Sequence, residues 1–320
     1  MQFKFYSILF ILTFFLCGCL ASKPVTVRSN LIFPTDNWIV KNPEEMGWSK
    51  DKLNDVKRKF NDIQATALMV IDDGYVIASY GDVERKVNCF SVRKSFLNAL
   101  YGIAIQDGKI DISATLAQLQ IDDKDNLSDR EKQAKILDLL KSRSGVYHPA
   151  AYETPEMKEK RPKRGSHAPG KFWYYNNWDF NVLGTIYEQK TSEKLFESFY
   201  FHIAMPIGMQ DFTPSDGKYI IDDASIHPAY PFYMSTRDRA RFGLLYLRNG
   251  MWNGKQIILK EWIDDSTNSY SRVRDGVGYG YLWWVRDQSY SAAGNHGQII
   301  SIFPDHNIVI ALSVDKEKIM

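Results

Sequence analysis

A chain of 320 residues, 44% hydrophobic and 14% aromatic, is long enough for one large core or two closely joined subdomains. Forty basic residues against 38 acidic ones leave a net charge of +2. That balance argues against a nucleic-acid binder, which carries a strongly basic surface. No internal repeat or low-complexity tract stands out, which argues against a repeat array.

The N-terminus reads as a targeting segment. Lys4 precedes an uncharged apolar run over 5–16, long enough for a signal peptide and too short for a comfortable membrane span. The run ends in Leu16-Cys17-Gly18-Cys19, which resembles a bacterial lipoprotein signal. The resemblance implies a signal peptide over 1–18, lipidation of Cys19 and an envelope protein anchored by lipid. Leu20 after the cysteine implies the outer membrane, on its periplasmic face. An ordinary signal peptide or an uncleaved anchor is the alternative. Residues 19–41 read as a tether and 42–320 as the folded domain. With Cys17 removed and Cys19 lipidated, Cys89 stands alone, expected as a small buried hydrophobe.

Ser49 caps a charged surface helix over 50–62. Two apolar runs, 67–71 and 75–80, flank Asp72-Asp73-Gly74 and predict a β-hairpin. Ser91-Val92-Arg93-Lys94 then opens a helix with almost no polar face, which predicts a buried helix ending at Asp107-Gly108. Ser and Lys three apart share a helix face. A serine hydroxyl is a poor nucleophile until a base takes its proton. A lysine whose pKa is lowered by burial or a neighbouring cation can be that base. The copy at Ser49-Lys50-Asp51-Lys52 lies on a charged helix and is read as a cap only.

Residues 110–215 show mainly helical patterns broken by Gly and Pro. Within them the charged run 158–164 reads as a solvated loop. Ser235-Thr236-Arg237-Asp238 begins a helix that stops at Asn249-Gly250. Strand patterns follow at 280–285, 298–303 and 308–314. Strands at both ends with helices between predict an α+β fold: one antiparallel sheet built from both chain ends, flanked by helices, plus a helical lobe. Trp283 and Trp284 are expected as core and cleft wall. His148, His167, His202, His227 and His306 show no metal-ligand spacing, so neither a metal nor a cofactor is expected.

Trp173-Tyr174-Tyr175-Asn176-Asn177 precedes an apolar helix. Ser91-x-x-Lys94 followed by Tyr174-x-Asn176 resembles the class C β-lactamase and penicillin-binding-protein superfamily of serine hydrolases. Ser142-Arg143-Ser144-Gly145, the stretch 237–247, Trp252-Asn253-Gly254-Lys255 and the stretch 279–284 are similar to its esterase-like branch. That branch includes the 6-aminohexanoate-dimer hydrolases, and the resemblance runs from about residue 40 onward. It implies a β-lactamase/transpeptidase-like fold with Ser91 as acyl-accepting nucleophile. Lys94 is then its base or proton shuttle, held by Asn176, and Tyr174 exchanges protons with the leaving group. Whether Lys94 or Tyr174 is the base stays open.

Gly294-Asn295-His296-Gly297-Gln298 stands where the family carries K-T-G, and resembles a G-x-G-G-Q variant. The resemblance places Asn295-His296-Gly297 at the K-T-G positions and makes the backbone N–H groups of Ser91 and Gln298 the oxyanion hole. His296 is a possible donor to substrate. Without the motif's lysine, no cation anchors a β-lactam carboxylate there. The expected activity is cleavage of a small ester, amide or peptide through an acyl-enzyme. A non-catalytic envelope binder and a β-lactamase or DD-peptidase are the alternatives. Relatives usually continue into a further helix on the sheet; its loss would leave apolar sheet surface exposed.

Overall fold

The computed structural model describes residues 31–315. The signal segment and Cys19 lie outside the described residues. Eight α-helices are present among them: α1 (Lys50–Asp62), α2 (Arg93–Gln106), α3 (Ile136–Leu140), α4 (Pro155–Lys160), α5 (Asn177–Thr191), α6 (Leu195–Phe199), α7 (Thr236–Leu247) and α8 (Lys260–Ser266). The main sheet has eight strands: β1 (Ala67–Asp72), β2 (Tyr75–Gly81), β3 (Ser271–Arg274), β4 (Val277–Tyr279), β5 (Trp284–Arg286), β6 (Ser289–Gly294), β7 (Gln298–Phe303) and β8 (Ile308–Ser313). Short strands of two to five residues elsewhere add small ribbons.

The sheet order is β2-β1-β8-β7-β6-β5-β4-β3, and every neighbouring pair is antiparallel. The two ends of the domain meet where β1 pairs with β8, Ala67 opposite Ser313. This is the antiparallel sheet from both chain ends that the strand pattern predicted, in the β-lactamase/transpeptidase-like arrangement that the family resemblance implied. The β1–β2 turn has Asp73 at φ 53° and Gly74 at φ 88°. Two consecutive left-handed residues suit the right-handed twist of a hairpin, which is why Asp-Gly marks it so well.

Both faces of the sheet are covered. On one, Leu53, Val56 and Phe60 of α1 pack with Leu68, Val70, Ile299, Ile310 and Leu312. These residues form a second apolar core between the sheet and α1. On the other, α7 lies against β8 and β7, with α2 beyond it. Gly243 permits that approach: a Cβ there would sit 2.5 Å from Val309 Cγ1. The helical lobe docks on α2, where the Tyr101 hydroxyl donates to Leu183 O at 2.8 Å. Residues 34–41, in the stretch read as tether, lie against the domain. Arg241 donates to Thr35 O at 2.7 Å, and Val40 bridges to Val76.

Two local readings change. The expected strand over 280–285 is a loop at 280–283 followed by β5. The Leu282 N–H donates to Leu140 O, and Leu282 O accepts from Ser95 Oγ at 2.9 Å, so this backbone serves α2 and α3 instead of the ladder. The charged run 158–164 begins inside α4. Thr154 caps that helix, accepting from Met157 N at 3.2 Å, and Pro155 sits at its first turn. A good cap and an N-terminal proline outweigh the local charge. No helix among the described residues is long and apolar enough to cross a membrane.

Candidate active site

Ser91 sits in a 3₁₀ turn, Phe90–Val92, that runs directly into α2. Phe90 takes φ 47°, uncommon for an aromatic residue, and its N–H donates to Asn88 Oδ1 at 2.8 Å. Such strain is held only where the surroundings enforce it, and it clusters at functional sites. Arg93 to Gly102 are buried without interruption, as the apolar pattern predicted. The half-buried Ser91 thus rides on a rigid element.

Lys94 is 2% exposed. Its Nζ lies 2.7 Å from Ser91 Oγ and 2.8 Å from the Tyr175 hydroxyl. It also sits over two rings, 4.5 Å from the Tyr175 centroid and 4.4 Å from that of Phe180. Among the described residues no salt bridge includes Lys94. Burial, reinforced by the Arg93 cation, pushes its pKa well below the ordinary lysine range. A neutral amine at this distance can accept the Ser91 proton while donating to the Tyr175 oxygen.

The tyrosine in this triad is therefore Tyr175, and the expected placement of Tyr174 is corrected. The Tyr174 hydroxyl donates to Met157 O at 2.7 Å, holding α4 against the body of the domain. Its phenol is pushed up to about 12 by burial, then by Glu153. Asn176 is likewise not bonded to Lys94. It is the N-cap of α5: Oδ1 accepts from Trp178 N at 3.2 Å, and Nδ2 donates to Val146 O at 2.7 Å and Asp179 Oδ1 at 2.9 Å. Asn177, two residues after Tyr175, donates to Tyr152 O at 2.7 Å and is buried beside the site. The doubled Tyr-Tyr-Asn-Asn fits a Tyr-x-Asn motif in two registers. The capping role of the first asparagine before an apolar helix was the signal that could have chosen the second register.

The third motif shows the same kind of offset. Gly294, at the end of β6, makes the close approach to the nucleophile turn: a Cβ there would sit 2.4 Å from Cys89 O and 3.0 Å from Ser91 N. The residues leading into this approach are Ala292 and Ala293, which carry no charge. Gly297 is in a turn at φ 91°, and His296 beside it at φ 63°. The His296 ring stands edge-on to Phe90 at 4.8 Å, on the rim next to Ser91. Gln298 pairs with Gly294 in the β6–β7 ladder, and its buried amide joins separate parts of the chain. Its oxygen accepts from Arg239 Nη1 at 2.6 Å, and its nitrogen donates to Val314 O. Arg239 also donates to Val87 O at 3.0 Å, so one buried guanidinium ties β7 to the segment before Ser91.

Aromatic residues form the wall around Tyr175. Trp284 stacks on it at 5.4 Å, and Tyr279 and Trp173 stand beside them. Trp283 points the other way into the core, as expected of the pair. Cys89 is fully buried, which fits its reading as a small hydrophobe. Among the described residues no group of His, Cys, Asp and Glu is arranged to hold a metal ion.

The family profile described as Beta-lactamase matches residues 53–319. An uncharacterized protein of Alkalihalophilus pseudofirmus is 27% identical over 113 residues, 30% of this chain and 34% of that protein. The match thus spans about a third of that relative's length. Among solved structures, a Bacillus anthracis protein provisionally described as a 6-aminohexanoate-dimer hydrolase superposes with a TM-score of 0.64 at 23% identity, covering 81% of this chain and 75% of its own. An octameric penicillin-binding protein homologue from Pyrococcus abyssi gives 0.62 at 18% identity, covering 82% and 72%. EstCE1, a hydrolase with promiscuous acyltransferase activity, gives 0.59 at 14% identity, covering 81% and 91%. With the profile spanning most of the domain and the sheet, helices and Ser-Lys-Tyr cluster in place, the chain belongs to the β-lactamase family.

Proposed function

We propose that this protein is a serine hydrolase that cleaves a small ester or amide through an acyl-enzyme on Ser91. The observation that carries this reading is the Ser91–Lys94–Tyr175 chain of hydrogen bonds, 2.7 and 2.8 Å long, around a buried lysine. In the first step Ser91 Oγ attacks the carbonyl carbon while Lys94 Nζ takes its proton. The oxyanion is met by backbone N–H groups, those of Ser91 and of Asn295, the residue after the close-approach Gly294. Asn295 takes this role in place of Gln298. Tyr175, bonded to the lysine, passes a proton to the departing oxygen or nitrogen. Water then attacks the acyl carbon, and the same groups return Ser91 to its starting state.

The rim favours neutral groups. Phe90, His296, Tyr152 and Trp284 are apolar or aromatic, and Ala292-Ala293-Gly294 supply no cation for a substrate carboxylate. This supports an esterase or amidase over a β-lactamase or DD-peptidase. A fluorophosphonate probe tests the reading: it should add to Ser91 in the full chain and not in Ser91→Ala, with the two proteins melting alike. Absence of an adduct on folded wild-type protein would refute it.

The Leu16-Cys17-Gly18-Cys19 motif supports a second element, lipid anchoring at Cys19 in a bacterial envelope. Metabolic labelling with a fatty-acid probe should mark the wild type and not Cys19→Ala.

A further inference from the structure

Arg93 is a buried cation one residue before the lysine of the site, with 0% of its surface exposed. Among the described residues no salt bridge includes it. Its hydrogen bond is to a neutral amide, from Nη2 to Asn181 Oδ1 at 3.2 Å. The guanidinium lies over the Tyr230 ring at 4.6 Å and faces the Tyr152 ring at 5.7 Å. Among the described residues its Nε and Nη1 have no hydrogen-bond partner. A buried charge is usually paired with an opposite one. Here the surroundings are two aromatic faces and an asparagine, so among the described residues no opposite charge faces the guanidinium.

An arginine cannot relieve that situation by losing its proton, whereas a lysine can. Two cations on neighbouring buried residues therefore leave the amine as the group that gives way. We propose that Arg93 is a positioning residue for the reaction: an unpaired buried guanidinium that holds the neighbouring Lys94 amine in its neutral, proton-accepting form. The inference rests on the reading of Lys94 as the base for Ser91.

The other groups packed around Lys94 do not offset this field. Its own helix contributes Arg93, and the segment before α5 contributes the Tyr175 phenol. Helix α5 also carries Asp179, itself fully buried and held well above the usual carboxyl range by that burial, its oxygen accepting from Ser144 and Asn176. From β4 comes Tyr279, whose phenol burial pushes far up. The direction found for Lys94, with burial the larger cause and Arg93 the second, agrees with the geometry.

The test measures the amine directly. The full chain is labelled with ¹³C-lysine, the Lys94 signal is assigned by its loss in Lys94→Arg, and its titration is followed by NMR. In Arg93→Met the midpoint should rise by about 1 pH unit, the size of one uncompensated charge several ångströms away in a partly screened site. Arg93→Lys replaces the guanidinium by an amine that can itself give up its proton, and should raise the midpoint less than Arg93→Met does. Asn181→Asp is nearly isosteric and sets a carboxylate against Arg93; it too should raise the midpoint, and it serves if Arg93→Met does not fold. The acid limb of fluorophosphonate labelling at Ser91 should move with the midpoint. A folded Arg93→Met or Asn181→Asp protein whose Lys94 midpoint stays put overturns the proposal. So does a wild-type midpoint in the ordinary lysine range. Failure of Ser91 to label, with Lys94 still titrating low and rising in Arg93→Met, would instead refute the serine-hydrolase reading and leave the electrostatic one standing.

Discussion

Adjacent tyrosines offer a sharp test, because Tyr174→Phe and Tyr175→Phe remove the same atom from positions with different partners. In Tyr175→Phe, Lys94 loses the hydroxyl 2.8 Å away while Ser91 stays at 2.7 Å and the Phe180 ring remains beneath the amine. The fold should hold, since the ring keeps its contacts with Trp284 and Phe180. The proton path to the leaving group is cut, and removal of such a transfer costs about 10²–10⁴ in rate, or roughly 3–5 kcal/mol of barrier. In Tyr174→Phe the lost bond is that to Met157 O, a neutral pair worth about 1 kcal/mol. That should lower Tm by about 2–4 °C and loosen α4, with little effect on turnover. The Tyr174 hydroxyl is bonded to Met157 O and makes no bond to Lys94, so the proposed proton path does not run through it. The assay is initial rates on a p-nitrophenyl ester for both variants, beside thermal melts. Loss of turnover in Tyr174→Phe, with Tyr175→Phe near wild type, would refute the assignment.

Lys94→Met should abolish phosphonate labelling yet stabilise the fold by about 0.5–2 kcal/mol at neutral pH, because it removes a buried amine. The unfolded chain binds the lysine proton up to its ordinary pKa and the folded chain releases it earlier, so wild-type stability should climb with pH across that window. The gain from Lys94→Met should then shrink toward alkaline pH, as denaturant melts at several pH values would show. Gly294→Ala sets a Cβ 2.4 Å from Cys89 O and should displace the nucleophile turn, lowering kcat/KM by about 10²-fold or more in the ester assay. Arg239→Met removes the bonds to Gln298 and Val87 and leaves both acceptors buried, for a loss of about 2–4 kcal/mol by denaturant unfolding. Penicillin should label Ser91 far more slowly than the phosphonate does, read by intact mass, because Ala292-Ala293-Gly294 carry no cation for its carboxylate.

What could be read from the sequence, and what could not, divides along physical lines. The hairpin at Asp73-Gly74, the buried helix after Ser91 and the cap at Ser235 rest on local rules: backbone angles, the 3.6-residue period and side-chain capping. Each is present in the structure, the last with Ser235 Oγ accepting from Asp238 N at 3.2 Å. The loop at 280–283 could not be seen in this way, since a run of apolar residues says nothing about which distant groups will claim its backbone; here they are Ser95, Leu140 and Ser266. The site itself was legible as to type, but its position was offset by one residue at the tyrosine and by three at the glycine. Two tyrosines before two asparagines, and two glycines three apart, satisfy the same motif in more than one register. A motif states which residue kinds must meet; only packing states which copy faces inward. For the tyrosines the deciding fact is an asparagine committed to the first turn of α5, whose side chain bonds Trp178, Val146 and Asp179 instead of the lysine. For the glycines it is the contact of Gly294 with the backbone of Cys89 and Ser91. Capping is local chemistry and could have been applied to Asn176 in advance. The approach of β6 to the turn before α2 joins segments some 200 residues apart, and no local rule reaches that far.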